Sequence, residues 1–124
     1  MPASERPLSP HLQIYKPLFT MMMSILHRLT GVGLYFGSLI IVWWLMAAAS
    51  SPAYFDMVRD LLNSFIGKTI LLLTCWAFIH HMLGGVRHFI WDFCKGFELR
   101  QIEFMARSGM IGSIGLTALI WACL

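Results

Sequence analysis

The chain has 124 residues, of which 58% are hydrophobic and 12% charged, with nine Lys and Arg against six Asp and Glu for a formal net charge of +3. A mean hydropathy of +0.71, with nine Phe and five Trp, excludes a disordered polymer, a coiled coil and a nucleic-acid-binding arm, and does not suit a water-soluble domain. In such a chain the placement of the cations matters more than their sum.

The first 20 residues carry Pro2, Pro7, Pro10 and Pro17 with Glu5, Arg6 and Lys16. This segment lacks the apolar core of a secretory signal and the Arg- and Ser-rich pattern of a transit peptide, so the chain reads as complete and bacterial in style, with a Pro-rich inner tail over 1–20. His11, within the tail, reads as a solvated or partner-contacting side chain. Cys75, Cys94 and Cys123 form no CxxC pair, and neither a disulfide framework nor a zinc site is expected from them.

Three stretches approach the roughly 20 apolar helical residues that cross a bilayer. They run over about 29–49, 69–86 and 108–124. The expected fold is an all-α integral membrane protein, a single anchor domain of three transmembrane helices in a bundle, with 87–107 as a connection on the inner side. Arg6, Lys16, Arg28, Arg87, Lys95, Arg100 and Arg107 fall on one side of the spans, against Arg59 and Lys68 on the other. The positive-inside rule then places the N-terminus inside and the C-terminus outside. Gly33, Gly37, Gly112 and Gly115 offer small faces for close helix approach, either within the bundle or against a foreign subunit.

At the entrance to the first span, Ser24, His27 and Arg28 share one helical face. An Arg at a helix end can snorkel and a Ser can cap a turn. The functional reading is a hydrogen-bonding, cationic site for an amphiphilic ligand, either a quinone carbonyl or a carboxylate such as a haem propionate. Near the end of the second span lie His80, His81, Gly84, Gly85, Arg87 and His88. Ionisable residues inside a span default to a functional hypothesis. His81 and His88 return to one face about 10 Å apart, so one iron cannot take both. His80 is rotated by about 100° from His81, and periodicity leaves open which of the two would point at a ligand. With no second intramembrane histidine on spans one or three, a bis-histidine haem would need a ligand from another chain. The aromatic and charged stretch from Trp91 to Glu103 reads as an interfacial belt or as a docking surface for a soluble partner.

These clusters, with Arg6-Pro7-Leu-Ser-Pro-His-Leu-Gln-Ile-Tyr15 in the tail, Ser24-Ile-Leu-His-Arg-Leu-Thr-Gly31 and His81 through Asp92, resemble the cytochrome b membrane-anchor subunits of succinate dehydrogenase, respiratory Complex II. The resemblance covers nearly the whole chain. It implies haem b, with the histidine at the position of His81 as an axial ligand of the iron and a second small membrane-anchor subunit supplying the other. It implies that His27 and Arg28 lie near the haem propionates, and that Ser24 and Arg28 contribute to a ubiquinone site. It implies partners too: the second anchor, an iron–sulfur subunit and a flavoprotein subunit that carry the iron–sulfur clusters and FAD, and membrane lipid, in a bacterial inner membrane or a mitochondrial one. The alternatives are the anchor of a fumarate reductase and a non-redox three-span scaffold or proton-relay subunit. The chain itself carries no flavin-binding motif and no cysteine cluster for iron–sulfur ligation.

Overall fold

The computed structural model describes residues 14–124. Pro2, Arg6, Pro7, Pro10 and His11 lie outside the described residues, as does most of the tail motif. The described residues form four α-helices and no strand: α1, Phe19–Ser50; α2, Pro52–Asn63; α3, Phe65–Asp92; and α4, Leu99–Cys123. As expected, α1, α3 and α4 are each long and apolar enough to cross a membrane.

All three outrun the uncharged stretches inside them. Their 32, 28 and 25 residues rise by about 1.5 Å each, to lengths beyond the roughly 30 Å of a hydrocarbon core. The polar segments around Ser24–Arg28, Arg87–Asp92 and Arg100–Arg107 are therefore further helical turns at the ends of the spans. The connection expected over 87–107 is mostly helix, with only 93–98 outside it. No proline follows Pro52, so nothing there forces the backbone to stop hydrogen bonding to itself.

The fourth helix, α2, is absent from the sequence reading. Its start is written in Ser51-Pro52: the residue before a proline is driven to extended backbone, and Ser51 has φ −157°. The Ser51 hydroxyl accepts from the Tyr54 amide at 3.3 Å, and Pro52 stands where a missing N–H costs nothing. Ser64 repeats the device, ending α2 and accepting from the Gly67 amide at 3.1 Å to start α3. Trp43 donates its indole N–H to the Tyr54 hydroxyl at 2.7 Å, which fastens α2 across the end of α1.

In the bundle α3 is central and packs against both α1 and α4. The interior is built from small side chains: Ala47, Ala77, Ala106, Ser113 and Thr117 are buried, while Leu29, Phe36, Leu39, Phe78 and Phe89 face outward. That inversion fits lipid, where apolar side chains gain nothing by turning inward and close backbone approach supplies the packing energy. The glycines divide accordingly. Gly37 meets Thr74, with an added Cβ 2.5 Å from its Cγ2, and Gly112 faces Leu83, whereas Gly33 and Gly115 have open space beside them.

At the end of α3 the Cys94 amide reaches the Trp91 carbonyl at 2.8 Å and the Lys95 amide the Ile90 carbonyl at 3.2 Å. This is the paired bonding of a Schellman cap, with Cys94 at φ 53° in the left-handed position that glycine usually fills. Gly96 follows at φ 78°. Because a side chain at such a φ costs about 1 kcal/mol relative to glycine, Cys94→Gly is expected to raise the melting temperature of the purified protein in detergent. An unchanged or lower value would contradict the strain.

Candidate functional site

Three histidines meet across the α1–α3 seam. His27 on α1 stacks face to face with His81 on α3, ring centroids 4.0 Å apart and planes within 6°. Its ring also lies 5.2 Å from that of His88, one helical face further along α3. His27 therefore sits between the two histidines that the sequence places on one face.

Close approach here depends on reciprocal glycines. A Cβ added at Gly31 would lie 3.0 Å from His81 Cε1, and one added at Gly84 would press on His27 Nδ1. Each helix thus offers a glycine opposite the other's imidazole. Of the two glycines about one turn beyond His81, Gly84 is taken by α1, while a Cβ at Gly85 would have nothing within 4 Å. Gly84→Ala is expected to displace His27 at a cost of roughly 1–3 kcal/mol, whereas Gly85→Ala should stay within about 0.5 kcal/mol of the parent. Thermal melts of the two variants test the contrast, and equal melts would contradict the packing.

His81 Nδ1 lies 3.0 Å from the His27 carbonyl oxygen. A carbonyl only accepts, so Nδ1 is the donor and the neutral ring carries its lone pair on Nε2, the arrangement of a metal-ligating histidine. Thr30, buried and overlooked in the sequence, donates its hydroxyl to the same carbonyl at 2.9 Å and stands 3.5 Å from His81 Nδ1. Its spacing of three from His27 is the signal that would have found it. His27 Nδ1 is buried with no hydrogen-bond partner among the described residues.

His80 is differently placed. It is 3% exposed, its Nδ1 lies 3.3 Å from the Ser113 hydroxyl on α4, and its ring packs on Trp76 at 5.4 Å. A cross-helix hydrogen bond in a filled interior accounts for it. Ser24 and Arg28 are both exposed, one turn apart on α1, and form no side-chain hydrogen bond or ion pair among the described residues. His27 turns away from them into α3, so the expected three-residue polar face is a pair facing outward with His27 at its inner edge.

Two clefts follow the α1–α3 seam. One of about 240 Å3 is bordered by Leu26, Thr30, Gly33, Trp76 and Ala77, a turn from His81. The other, about 660 Å3 between Leu34, Gly37, Ile41, Leu71, Thr74 and Phe78, offers almost no polar surface. The Ser38 and Thr74 hydroxyls are bonded to the Tyr35 and Ile70 carbonyls. That groove suits an acyl chain or a neighbouring helix better than a redox group, and the histidines lie elsewhere.

The comparisons agree with this architecture. A family model described as the succinate dehydrogenase/fumarate reductase transmembrane subunit matches residues 2–123. Similar proteins include the succinate dehydrogenase cytochrome b556 subunits of Rickettsia typhi, 39% identical over 95% of this chain and 92% of the relative, and of Paracoccus denitrificans, 39% identical over 92% and 88%. The human mitochondrial cytochrome b560 subunit is 34% identical over 94% of this chain and 72% of its own length. With the match running through all three spans and the histidine seam, the chain belongs to the cytochrome b membrane-anchor subunits of succinate dehydrogenase, respiratory Complex II.

Proposed function

We propose that the chain holds haem b through His81 and forms part of the ubiquinone site of a succinate:ubiquinone oxidoreductase. The observation that carries the haem reading is the contact of His81 Nδ1 with the His27 carbonyl, because it presents Nε2 as a ready ligand, whereas His80 is enclosed by Ser113 and Trp76. The residues fit the group: a ring whose Nδ1 is held by the His27 carbonyl, leaving Nε2 with its lone pair, and beside it an imidazole and a guanidinium, His27 and Arg28, able to meet carboxylates. Face-stacked rings cannot bind one iron from opposite sides. On this chain His81 would hold the haem, and the second small membrane-anchor subunit would supply its other protein ligand.

Haem, when bound, supplies a one-electron carrier within the membrane. The chain's own residues act around it. Thr30 and the His27 carbonyl orient the His81 ring, and the glycines opposite both imidazoles let α1 and α3 close on them. At the outward-facing surface, the Ser24 hydroxyl can donate to a quinone carbonyl oxygen, while the fixed charge of Arg28 stabilises negative charge building there during reduction. Partner subunits close the rest of that pocket. The flavoprotein and iron–sulfur subunits, which carry FAD and the clusters, dock on the side bearing Arg28, Arg87, Lys95, Arg100 and Arg107. By the charge asymmetry this is the inner side, of a bacterial inner membrane or its mitochondrial equivalent. The direction, succinate oxidation rather than fumarate reduction, follows the names of the similar proteins.

The test is a dithionite-reduced minus oxidised visible spectrum of the complex purified in mild detergent through a tag on this chain, with co-purifying subunits identified. A b-type band alongside flavoprotein and iron–sulfur partners is expected. Those partners without a band would remove the haem and keep the anchor.

A further inference from the structure

Arg87 borders the histidine seam, sharing the Trp91 ring with His88, but its side chain is directed elsewhere. It projects from α3 towards α4, the side on which His80 meets Ser113, and is 8% exposed. Its guanidinium carbon lies 5.2 Å from the centroid of the Trp91 ring. Its Nε is buried without a hydrogen-bond partner, and no acidic side chain among the described residues pairs with it. A buried cation left this way is costly unless an anion meets it.

The same side chain borders a cleft of about 240 Å3 between α3 and α4, whose other walls include Leu83, Ile90, Ser108, Gly109, Gly112 and Leu116. The cleft runs along both helices from Ile90 and Met105, past Arg87 and Ser108, towards the middle of the spans at Leu83 and Leu116. Ser108 spends its hydroxyl proton on the Met105 carbonyl, leaving Arg87 as the single cation of an otherwise apolar channel. Nothing lies within 4 Å of a Cβ at Gly109, and one at Gly112 would only touch Leu83 at 3.5 Å.

We infer that the α3–α4 groove binds one phospholipid, its phosphate held by the Arg87 guanidinium and one acyl chain laid along Gly109 and Gly112. A carboxylate from a partner protein would answer the charge but leave the apolar channel open, whereas a phosphate with a hydrocarbon tail answers both. The site is independent of the haem and quinone readings.

The test uses the intact complex, delipidated in detergent and titrated with palmitoyl-oleoyl phosphatidylglycerol under native mass spectrometry. One tightly held lipid per copy of this chain is expected. Arg87→Met should weaken it about tenfold, the scale of one lost charge-assisted contact. Gly109→Leu, placed in open space and so compatible with folding, should weaken it by a similar factor by filling the channel. Dioleoylglycerol, with the chains and no phosphate, and inorganic phosphate, with no chains, should each fail to displace it. Undiminished binding in either variant, or displacement by either fragment alone, would overturn the proposal. So would loss of a partner subunit from Arg87→Met while Gly109→Leu binds lipid normally, since that outcome assigns Arg87 to a protein contact.

Discussion

Replacing His81 with alanine is expected to abolish the b-type absorbance band of the purified complex, while His80→Ala keeps it. The two residues are neighbours in sequence and opposites in setting. His81 holds its Nδ1 on a backbone carbonyl and frees Nε2 beside the α1–α3 seam, whereas His80, with its Nδ1 on the Ser113 hydroxyl, is shut inside the α3–α4 packing at 3% exposure. Loss of an outer partner of a metal ligand commonly costs 10- to 100-fold in metal affinity, so loss of the ligand itself should exceed about 100-fold. Haem stoichiometry by pyridine haemochrome gives the readout, with assembly checked by subunit content. A full band in His81→Ala, or its disappearance in His80→Ala, would reverse the assignment. His80→Ala should instead lower the melting temperature, because the cross-helix hydrogen bond to the Ser113 oxygen is lost, although Ser113 still donates to the Met110 carbonyl, and a cavity opens beside Trp76.

The second large effect is expected at the other polar cluster. Arg28→Ala should lower succinate-dependent ubiquinone reduction by about 10²-fold, the scale of removing one preorganised group that meets developing charge. Succinate-dependent reduction of a soluble dye, which draws electrons before they reach the membrane subunits, should be nearly unchanged. Arg28 is exposed and makes no ion pair among the described residues, so its removal takes no packing from the bundle. Parallel loss of both activities would mean that Arg28 supports assembly instead. Arg28→Lys separates charge from geometry: a compact ammonium keeps the charge but loses the planar fork, and partial recovery is expected.

Much of this was legible in the residue order. Spans are set by hydrophobic length, which is a local property, and the three helices fall where the apolar stretches lie. The bias of cations to one side, the pairing of Ser24 with Arg28 at i, i+4, and the choice between His80 and His81 as the open question are likewise one-dimensional. What escaped was governed by other rules. The helix α2 is too short and too polar to register as a span, and its evidence is the cap residues Ser51 and Ser64 rather than hydropathy. The segment 87–107 looked like a connection because its charges end the membrane stretch, yet charge does not end a helix.

Residue order alone is enough to make this chain a three-span membrane anchor with most of its cations, and the histidines of its first two spans, near one end. It took the packing of the helices to show that His27 stacks on His81, that Thr30 and the His27 carbonyl hold the His81 ring, that His80 belongs to Ser113, and that Arg87 faces a groove. Helical periodicity assigns a residue to a face of its own helix. Which neighbour meets that face depends on how closely two backbones approach, and here Gly31, Gly37 and Gly84 set that distance across 36 to 56 residues of intervening chain.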